Sequence, residues 1–487
     1  MFGDYVFEKS SAQYAENILL FDDDNLGNRT EIKKVFSAHG FDVITYENDL
    51  HFRVNYEDQL KESNKKMAVF ARTFQYIPYD IIQRMLVYRV SLDTLFPLIN
   101  TDTLHKLDAI GLDLLSCVYR GNFDDLKDPQ KAERYVNHSV YASENIRTYL
   151  TAKLDELIST ACKISRYTEW FEMSEKKSRL DVLAAKYNIE FDSSPINNVF
   201  SKYIMNCFGK LSQEINSESP VLVSKVMDFL HTRSTKFILV VMDGMSEFDW
   251  QILSNSFQDI KYEKTSVFAM IPSVTSVSRQ CLLAGKYPSQ LMEPWKQSKE
   301  KAEFINCAQK LGFSNSQIGY ERGYTSQFNP FVKCGAVIIM DIDEMVHAQK
   351  QERLGMFNDV SVLADQHKLS DMVRRFRDEG FDVYITADHG NTLCTGMGKL
   401  IGTGVEMETK SRRMLVLRDF ADKSGMIEKY GLIDYPKYYL PKEYNYLICD
   451  IGDSFDAKNE RVMTHGGISL DEVVVPFIKI KAVQKNG

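Results

Sequence analysis

Five short stretches in the second half of the chain carry carboxylate, imidazole or hydroxyl side chains, the groups that bind divalent metal ions or act as nucleophiles. Taken singly, each has a plain structural interpretation, since an aspartate after a buried strand is often a helix N-cap or a turn residue. Taken together, they are enough to hold two divalent ions. The set comprises Asp243, Thr275, Asp341 with Asp343 and His347, Asp388 with His389, and His465.

Three predicted strands would position most of these side chains. The runs 237–242, 336–340 and 382–386 are almost continuously apolar, which is typical of strands covered on both faces of a parallel sheet. Because ligands of open α/β sheets bind beyond the carboxyl ends of the strands, we expect the carboxylates that follow them to converge. Those carboxylates belong to Asp243, to Asp341 with Asp343, and to Asp388.

The order and spacing of these residues resemble the alkaline phosphatase superfamily, and within it the nucleotide pyrophosphatase/phosphodiesterase branch. In that branch a threonine lies ten residues before a Gly-x-Tyr-Pro turn, and here Thr275 lies ten before Gly285-Lys-Tyr-Pro. The other family motifs are matched by Asp343 with His347, by the Asp-His-Gly turn at 388–390, and by His465.

A narrower resemblance is to the PglZ domain, which occurs in bacterial phage-exclusion systems and in some response regulators. The matching text is Val-Met-Asp-Gly-Met at 241–245, Thr-x-x-x-Arg at 275–279, and His-Gly-Gly-Ile-Ser-Leu-Asp-Glu-Val-Val-Val-Pro-Phe at 465–477. The resemblance covers roughly residues 236–481. The chain is identified on this basis as a PglZ-domain protein.

The resemblance implies two metal sites and a threonine nucleophile. Mixed carboxylate and imidazole ligation suits zinc, and a paired site also accepts manganese. Coordination to a divalent cation would make the weakly acidic hydroxyl of Thr275 reactive, and a second ion would take the leaving oxygen. One site would be formed by Asp243, Thr275, Asp388 and His389, and the other by Asp343, His347 and His465.

Arg279 has two interpretations, and both stay open at this stage. A helix predicted to begin at Thr275 places Arg279 one turn further on, and the N-terminus of a helix attracts an anionic ester. The guanidinium could bind a phosphate oxygen of the substrate, or it could pair with Asp243 or Asp388 as a structural support. We predict that Arg279 binds the substrate.

Composition and charge limit the classes of partner. The chain has 44% hydrophobic and 26% charged residues, as globular proteins do, and a formal net charge of −8. This charge argues against strong binding of duplex nucleic acid by the chain alone, because such binding needs many Lys and Arg. Eight scattered cysteines, an N-terminus without a secretory signal and the lack of a long apolar run predict a cytoplasmic protein with no membrane association.

The pattern along the chain predicts three regions. Residues 1–78 alternate between strand-like and helix-like stretches and form a small α/β module. Residues 79–235 are predicted to be a helical region, with amphipathic helices at 81–99 and 140–167. Residues 236–487 form the catalytic domain, for which we expect an alkaline phosphatase-like, mostly parallel central sheet flanked by helices.

The predicted function is that of a two-metal phosphate-ester hydrolase. The resemblance favours a phosphodiesterase that acts on nucleotides or oligonucleotides, cyclic ones included, in bacterial phage defence or signalling with protein partners of such a system. A phosphomonoesterase is one alternative. The other is a scaffold of a phage-exclusion complex that binds partners with little catalysis.

Overall fold

The computed structural model describes residues 1–62, 65–119, 125–398, 411–418 and 423–483. The chain divides into two compact units, Met1–Thr151 and Ala152–Gly487. The predicted domain boundaries after residues 78 and 235 stay predictions. Among the described residues, no helix combines the length and the apolar character that crossing a membrane requires.

The first unit contains a four-stranded parallel sheet in the order β2-β3-β1-β4. Its strands are β1 (Asn17–Asp22), β2 (Phe41–Thr45), β3 (Lys66–Ala71) and β4 (Leu86–Val90). The helices of the first 161 residues are α1 (Phe2–Lys9), α2 (Thr30–Ala38), α3 (Asp49–Lys61), α4 (Tyr79–Ile82), α5 (Leu92–Leu95), α6 (Thr101–His105), α7 (Ala109–Val118), α8 (Pro129–Tyr135) and α9 (Ser143–Ala161).

The helix predicted for residues 81–99 is wrong. Its centre, Leu86–Val90, is the strand β4, which pairs in parallel with β1 so that Leu86 lies opposite Ile18. Leu-Val-Tyr-Arg-Val is rich in β-branched and aromatic residues, and the free edge of β1 offers it a complete hydrogen-bond ladder. Tertiary pairing therefore outweighs the helical periodicity. The helix predicted for 140–167 is confirmed over Ser143–Ala161.

The second unit is built on a six-stranded sheet in the order β6-β16-β9-β5-β8-β7. In this sheet β16 runs antiparallel to its two neighbours, and the other pairs are parallel. The strands of the unit are β5 (Phe237–Met242), β6 (Glu263–Phe268), β7 (Ile318–Arg322), β8 (Cys334–Ile339), β9 (Asp382–Thr386), β10 (Thr392–Gly396), β11 (Met414–Arg418), β12 (Ile433–Asp434), β13 (Tyr444–Ile448), β14 (Asp453–Ser454), β15 (Arg461–Thr464) and β16 (Val474–Ile480).

Helices flank this sheet, so the predicted fold class, a mostly parallel central sheet with helices around it, is confirmed. Two small sheets, β14-β10-β15 and β11-β13-β12, accompany it. The helices are α10 (Tyr167–Lys186), α11 (Ser194–Cys207), α12 (Val226–Arg233), α13 (Glu247–Leu253), α14 (Thr275–Ala284), α15 (Glu300–Lys310), α16 (Asp341–Ala348), α17 (Glu352–Asp365), α18 (Lys368–Asp378), α19 (Lys423–Tyr430) and α20 (Leu470–Val473).

The centre of the large sheet is a continuous apolar layer. Every residue of β5 and β8 is buried, as expected for strands covered on both faces. Leu239 of β5 lies opposite Ala336 of β8 on one side and Tyr384 of β9 on the other. Each fully buried Val, Leu or Ile contributes about 1.5–3 kcal/mol of hydrophobic stabilisation. This packing gives the strand ends a rigid base.

Candidate metal centre

The carboxyl ends of three adjacent parallel strands carry the predicted carboxylates. Strands β9, β5 and β8 are neighbours in that order, and Asp388, Asp243 and Asp343 follow them. The backbone N–H of Asp243 donates to the carbonyl of Ile339 at 2.8 Å, which continues the β5–β8 ladder to the aspartate itself. Asp343 packs against Gly244, whose φ of +73° suits glycine. The sheet therefore brings these three carboxylates to one edge.

One cluster consists of Asp243, Asp388 and His389, all fully buried. Their ligand atoms lie within 4.8 Å of one another. Nε2 of His389 is 3.7 Å from Oδ1 of Asp243 and 3.8 Å from Oδ2 of Asp388. Oδ1 of Asp388 accepts the backbone N–H groups of Gly244 and His389, whereas its Oδ2 accepts no hydrogen bond from any described residue.

A second cluster consists of Asp343, His347 and His465. Asp343 and His347 lie four residues apart on α16 and so share one face of the helix. Oδ1 of Asp343 is 3.4 Å from Nε2 of His347 and 3.5 Å from Nε2 of His465. His347 is the most exposed residue of this cluster, with 40% of its side chain exposed. Asp341 begins α16 and belongs to neither cluster.

Backbone carbonyls determine which nitrogen of two histidines faces the clusters. Nδ1 of His389 lies 3.0 Å from the carbonyl of Gly390, and Nδ1 of His465 lies 3.0 Å from the carbonyl of Ser273. Since a carbonyl oxygen can only accept, each Nδ1 carries a hydrogen, and Nε2 is the ring nitrogen left to face a metal ion. The two rings stack with centroids 4.1 Å apart, so the two clusters are adjacent.

Thr275 is the first residue of α14, and its hydroxyl faces the first cluster. Oγ1 lies 3.1 Å from Nε2 of His389 and 3.4 Å from Oδ1 of Asp243. Free N–H groups at the N-terminus of a helix attract anions. The structure therefore brings together all seven residues of the predicted metal site, namely the six carboxylate and imidazole side chains of the two clusters and this hydroxyl.

Arg279 lies one turn further along α14 and is completely buried. Nη1 forms an ion pair with Oδ2 of Asp243 and is 4.0 Å from Oδ2 of Asp388. On its other side, Nε donates to Oε2 of Glu300 at 2.7 Å. Of the two interpretations of the sequence, this is the arrangement of a structural support, and substrate binding by Arg279 stays a prediction.

Burial makes the carboxylates of the first cluster hard to ionise together. Desolvation raises the pKa of Asp388 to about 6. Desolvation, and after it the charge of Asp388, raises the pKa of Asp243 well above its usual value, although Arg279 and His389 oppose the shift. Desolvation lowers the pKa of His465 well below its usual value, which keeps this imidazole neutral.

These observations fit a pair of divalent cations. Among the described residues, two buried carboxylate oxygens without hydrogen-bond donors, Oδ2 of Asp388 and Oδ1 of Asp343, lie beside imidazole nitrogens. A bound cation would compensate both the charge and the missing partners. The donor set contains oxygen and nitrogen only, which suits zinc or manganese.

Sequence reasoning missed the residues that support the ligands. Asn391 donates from Nδ2 to the carbonyl of Gly244 at 2.9 Å and to Oδ2 of Asp249 at 2.7 Å. Asn391 comes directly after the Asp-His-Gly turn, and this position could have indicated that it supports the metal-binding residues. Glu300, which holds Arg279, lies 21 residues further along the chain, and nothing in its local sequence indicates that contact.

Replacing Arg279 by methionine is expected to lower the free energy of unfolding by about 3–5 kcal/mol, because the change leaves Asp243 buried without its paired cation. Urea denaturation of the metal-free protein measures the difference. The matched control is Arg374→Met, since Arg374 also pairs with two aspartates but lies at the surface. For Arg374→Met we expect the free energy of unfolding to fall by about 1 kcal/mol or less. Equal small effects at both positions would contradict the supporting role and favour direct phosphate binding.

Comparison with known families finds a match within the second unit. The model of the BREX system PglZ alkaline phosphatase-like domain matches residues 221–480. All the predicted site residues lie within this segment. No curated protein matches the chain.

Several solved structures are similar to part of the chain. An inactive variant of murine ectonucleotide pyrophosphatase/phosphodiesterase 5 in complex with AMP is 11% identical, with a TM-score of 0.37, and the match covers 50% of this chain and 88% of that one. The human protein of the same name is 14% identical, with a TM-score of 0.36 and coverage of 50% and 87%. Phosphonoacetate hydrolase from Sinorhizobium meliloti 1021 with phosphonoformate is 11% identical, with a TM-score of 0.33 and coverage of 52% and 92%.

Proposed function

Because this chain belongs to the family of BREX system PglZ alkaline phosphatase-like domains, we propose that it is a metal-dependent phosphate-ester hydrolase with Thr275 as its nucleophile. Its substrates are phosphodiesters of the nucleotide or oligonucleotide class, cyclic ones included. The observation that supports this most is the hydroxyl of Thr275, 3.1 Å from Nε2 of His389, beside two adjacent clusters of metal-binding side chains.

The metal ligands in this proposal follow the two clusters. Asp243, Thr275, Asp388 and His389 hold one ion, and Asp343, His347 and His465 hold the other. We propose zinc, with manganese as the alternative. Divalent ions at these positions stabilise negative charge on the attacking and leaving oxygens of a phosphoryl transfer.

The protein groups prepare the nucleophile. Arg279 pairs with Oδ2 of Asp243, so that the other carboxylate oxygen, Oδ1, faces the hydroxyl of Thr275 at 3.4 Å. The backbone carbonyl of Gly390 holds the imidazole of His389 with Nε2 toward the same hydroxyl. The start of α14 adds positive potential where the anionic ester binds. Orientation and charge together favour attack by Oγ1 on phosphorus.

The reaction consists of two in-line displacements. In the first, Oγ1 of Thr275 forms a bond to phosphorus as the bond to the ester oxygen breaks, and the alcohol leaves with a proton. In the second, water attacks phosphorus, the bond to Oγ1 breaks, and the hydroxyl of Thr275 recovers its proton. Two inversions give net retention of configuration at phosphorus.

The proposed setting is bacterial phage defence or signalling in the cytoplasm. The family description names the BREX system, and this supports protein partners from such a system. With a net charge of −8, the chain is not suited to bind long duplex nucleic acid alone, so a partner would have to deliver it.

A substrate panel tests the proposal. The full chain, loaded with zinc or with manganese, is incubated with p-nitrophenyl phosphate, bis-p-nitrophenyl phosphate, linear dinucleotides and cyclic oligonucleotides. We expect the diesters to be hydrolysed with a kcat/KM at least about tenfold above that of the monoester, because the nucleophile and ligand pattern resembles that of the pyrophosphatase/phosphodiesterase branch. The reverse order would identify a phosphomonoesterase. Absence of hydrolysis by metal-loaded protein would favour the scaffold alternative.

A further inference from the structure

Four charged side chains, three of them buried, form a cluster next to the segment that follows Asp388 and His389. Nζ of Lys177, from α10, lies 2.8 Å from Asp181 and 2.7 Å from Asp471. Nη2 of Arg353 lies 3.2 Å from Asp471 and 3.8 Å from Asp181. The side chains of Lys177, Asp181 and Asp471 are at most 5% exposed. Two cations thus balance two carboxylates with little solvent to screen them.

Asp471 connects this cluster to the metal-binding turn. Its Oδ2 accepts a hydrogen bond from Oγ1 of Thr392 at 3.3 Å. The backbone of Gly390 lies directly against it, since a Cβ on Gly390 would be only 2.0 Å from the carbonyl oxygen of Asp471. The N–H of Gly390 donates to the carbonyl of Glu472 at 2.9 Å. The segment that carries Asp388 and His389 therefore rests on residues 471–472.

A second residue holds Asp471 from the same side. Asn197, from α11, donates from Nδ2 to Oδ2 of Asp471 at 3.0 Å and accepts the backbone N–H of Leu470 at 3.1 Å. Lys177 and Asn197 both precede residue 221, where the family match begins. Helices outside the matched segment thus hold Asp471, which lies inside it.

The charge of Asp471 depends on these partners. Burial by itself raises the pKa of this carboxyl, but the positive charges of Lys177 and Arg353 outweigh burial and lower the pKa to about 2. An ionised carboxylate in this position accepts the hydrogen bonds of Asn197 and Thr392. Without the lysine, one cation would face two buried carboxylates, and the geometry around Asp471 would not be maintained.

We propose that Lys177 is a positioning residue of the metal centre, acting through Asp471 on Thr392 and Gly390 to hold Asp388 and His389 in ligand geometry. The inference rests on the proposed function, because it takes these two residues as metal ligands. It assigns to helix α10 a role in the site that the family-matched segment alone does not supply.

The test is a calorimetric titration of the metal-free full chain with zinc. Lys177→Met keeps the length of the side chain and removes its charge. We expect its affinity for the more tightly bound ion to fall about 10–100-fold, the range seen when outer-shell partners of metal ligands are removed. Thr392→Val removes only the hydroxyl that reaches Asp471, introduces no buried charge, and is expected to weaken the same ion about threefold or more.

The matched control is Lys264→Met. Lys264, from β6, also forms ion pairs that hold α10, at 3.0 Å from Glu175 and 2.6 Å from the buried Glu247, but neither glutamate side chain forms a hydrogen bond with the 388–392 segment. We expect its zinc affinity to equal that of the unmodified protein. A merely structural lysine would lower thermal stability in both variants and leave zinc affinity unchanged in both.

Two results would overturn the inference, namely unchanged zinc affinity in Lys177→Met or equal losses in Lys177→Met and Lys264→Met. If Lys177→Met does not fold, Thr392→Val is the deciding variant. Unchanged zinc affinity in Thr392→Val would then overturn the inference. If the unmodified protein binds no zinc, the proposed metal site itself fails, and the inference fails with it.

Discussion

Thr275→Ala is expected to lower the turnover of bis-p-nitrophenyl phosphate by at least about 10³-fold, because loss of a covalent nucleophile leaves no group to form the first bond to phosphorus. The fold should remain, since Thr275 is only partly buried and its side chain does not cap α14. Alanine is also a good helix former. Circular dichroism of the variant should match that of the unmodified protein to within error.

Two further variants make this result specific. Ser276 is the next residue, is also partly buried, and belongs to neither cluster of metal-binding side chains, so Ser276→Ala should retain full turnover. Thr275→Ser keeps a hydroxyl at the same place and should retain measurable turnover. Full activity of Thr275→Ala would show that another residue or water is the nucleophile.

Removal of divalent metal is expected to abolish hydrolysis, and addition of zinc or manganese to restore it. The physical reason is that Asp243 and Asp388 are fully buried beside one another, and the single guanidinium of Arg279 cannot balance both carboxylates. Elemental analysis of the purified protein should find about two divalent ions per chain, one for each cluster. Binding to the folded state should also raise the melting temperature.

The chelation experiment needs its own control. A chelator already saturated with zinc should leave the rate unchanged, which excludes inhibition by the chelator itself. Metal-free protein that cleaves the diester at the full rate would contradict the two-metal mechanism. If the protein binds a single ion and is fully active, only one of the two clusters would be the metal site.

Much of the fold could be predicted because its signals are local. The apolar runs that became β5, β8 and β9 have the composition of strands buried on both faces, and the carboxylates that follow them mark one edge of the sheet. The family membership and the fold class predicted from these motifs are confirmed. The helix predicted at 81–99 failed because strand pairing with β1, a long-range contact, decided the structure of Leu86–Val90.

The charge partners of Arg279 and Lys177 could not be decided from the sequence, because they lie in remote segments of the chain. The sequence places Arg279 one turn after Thr275, but its partner could have been phosphate or carboxylate, and the folded chain pairs it with Asp243 and Glu300. Nothing near Lys177 in the sequence indicates that its partner Asp471 is 294 residues away.

For this protein, residue type and spacing determined the chemistry that we propose, since the ability to bind a cation or to attack phosphorus belongs to the side chain. They also determined the strands, because apolar periodicity is a property of short segments. Only the tertiary structure decided which nitrogen of His389 and His465 faces the clusters, which oxygen of Asp243 faces Thr275, and which buried charges are balanced. Those choices depend on distances and desolvation, which arise only when remote segments pack together.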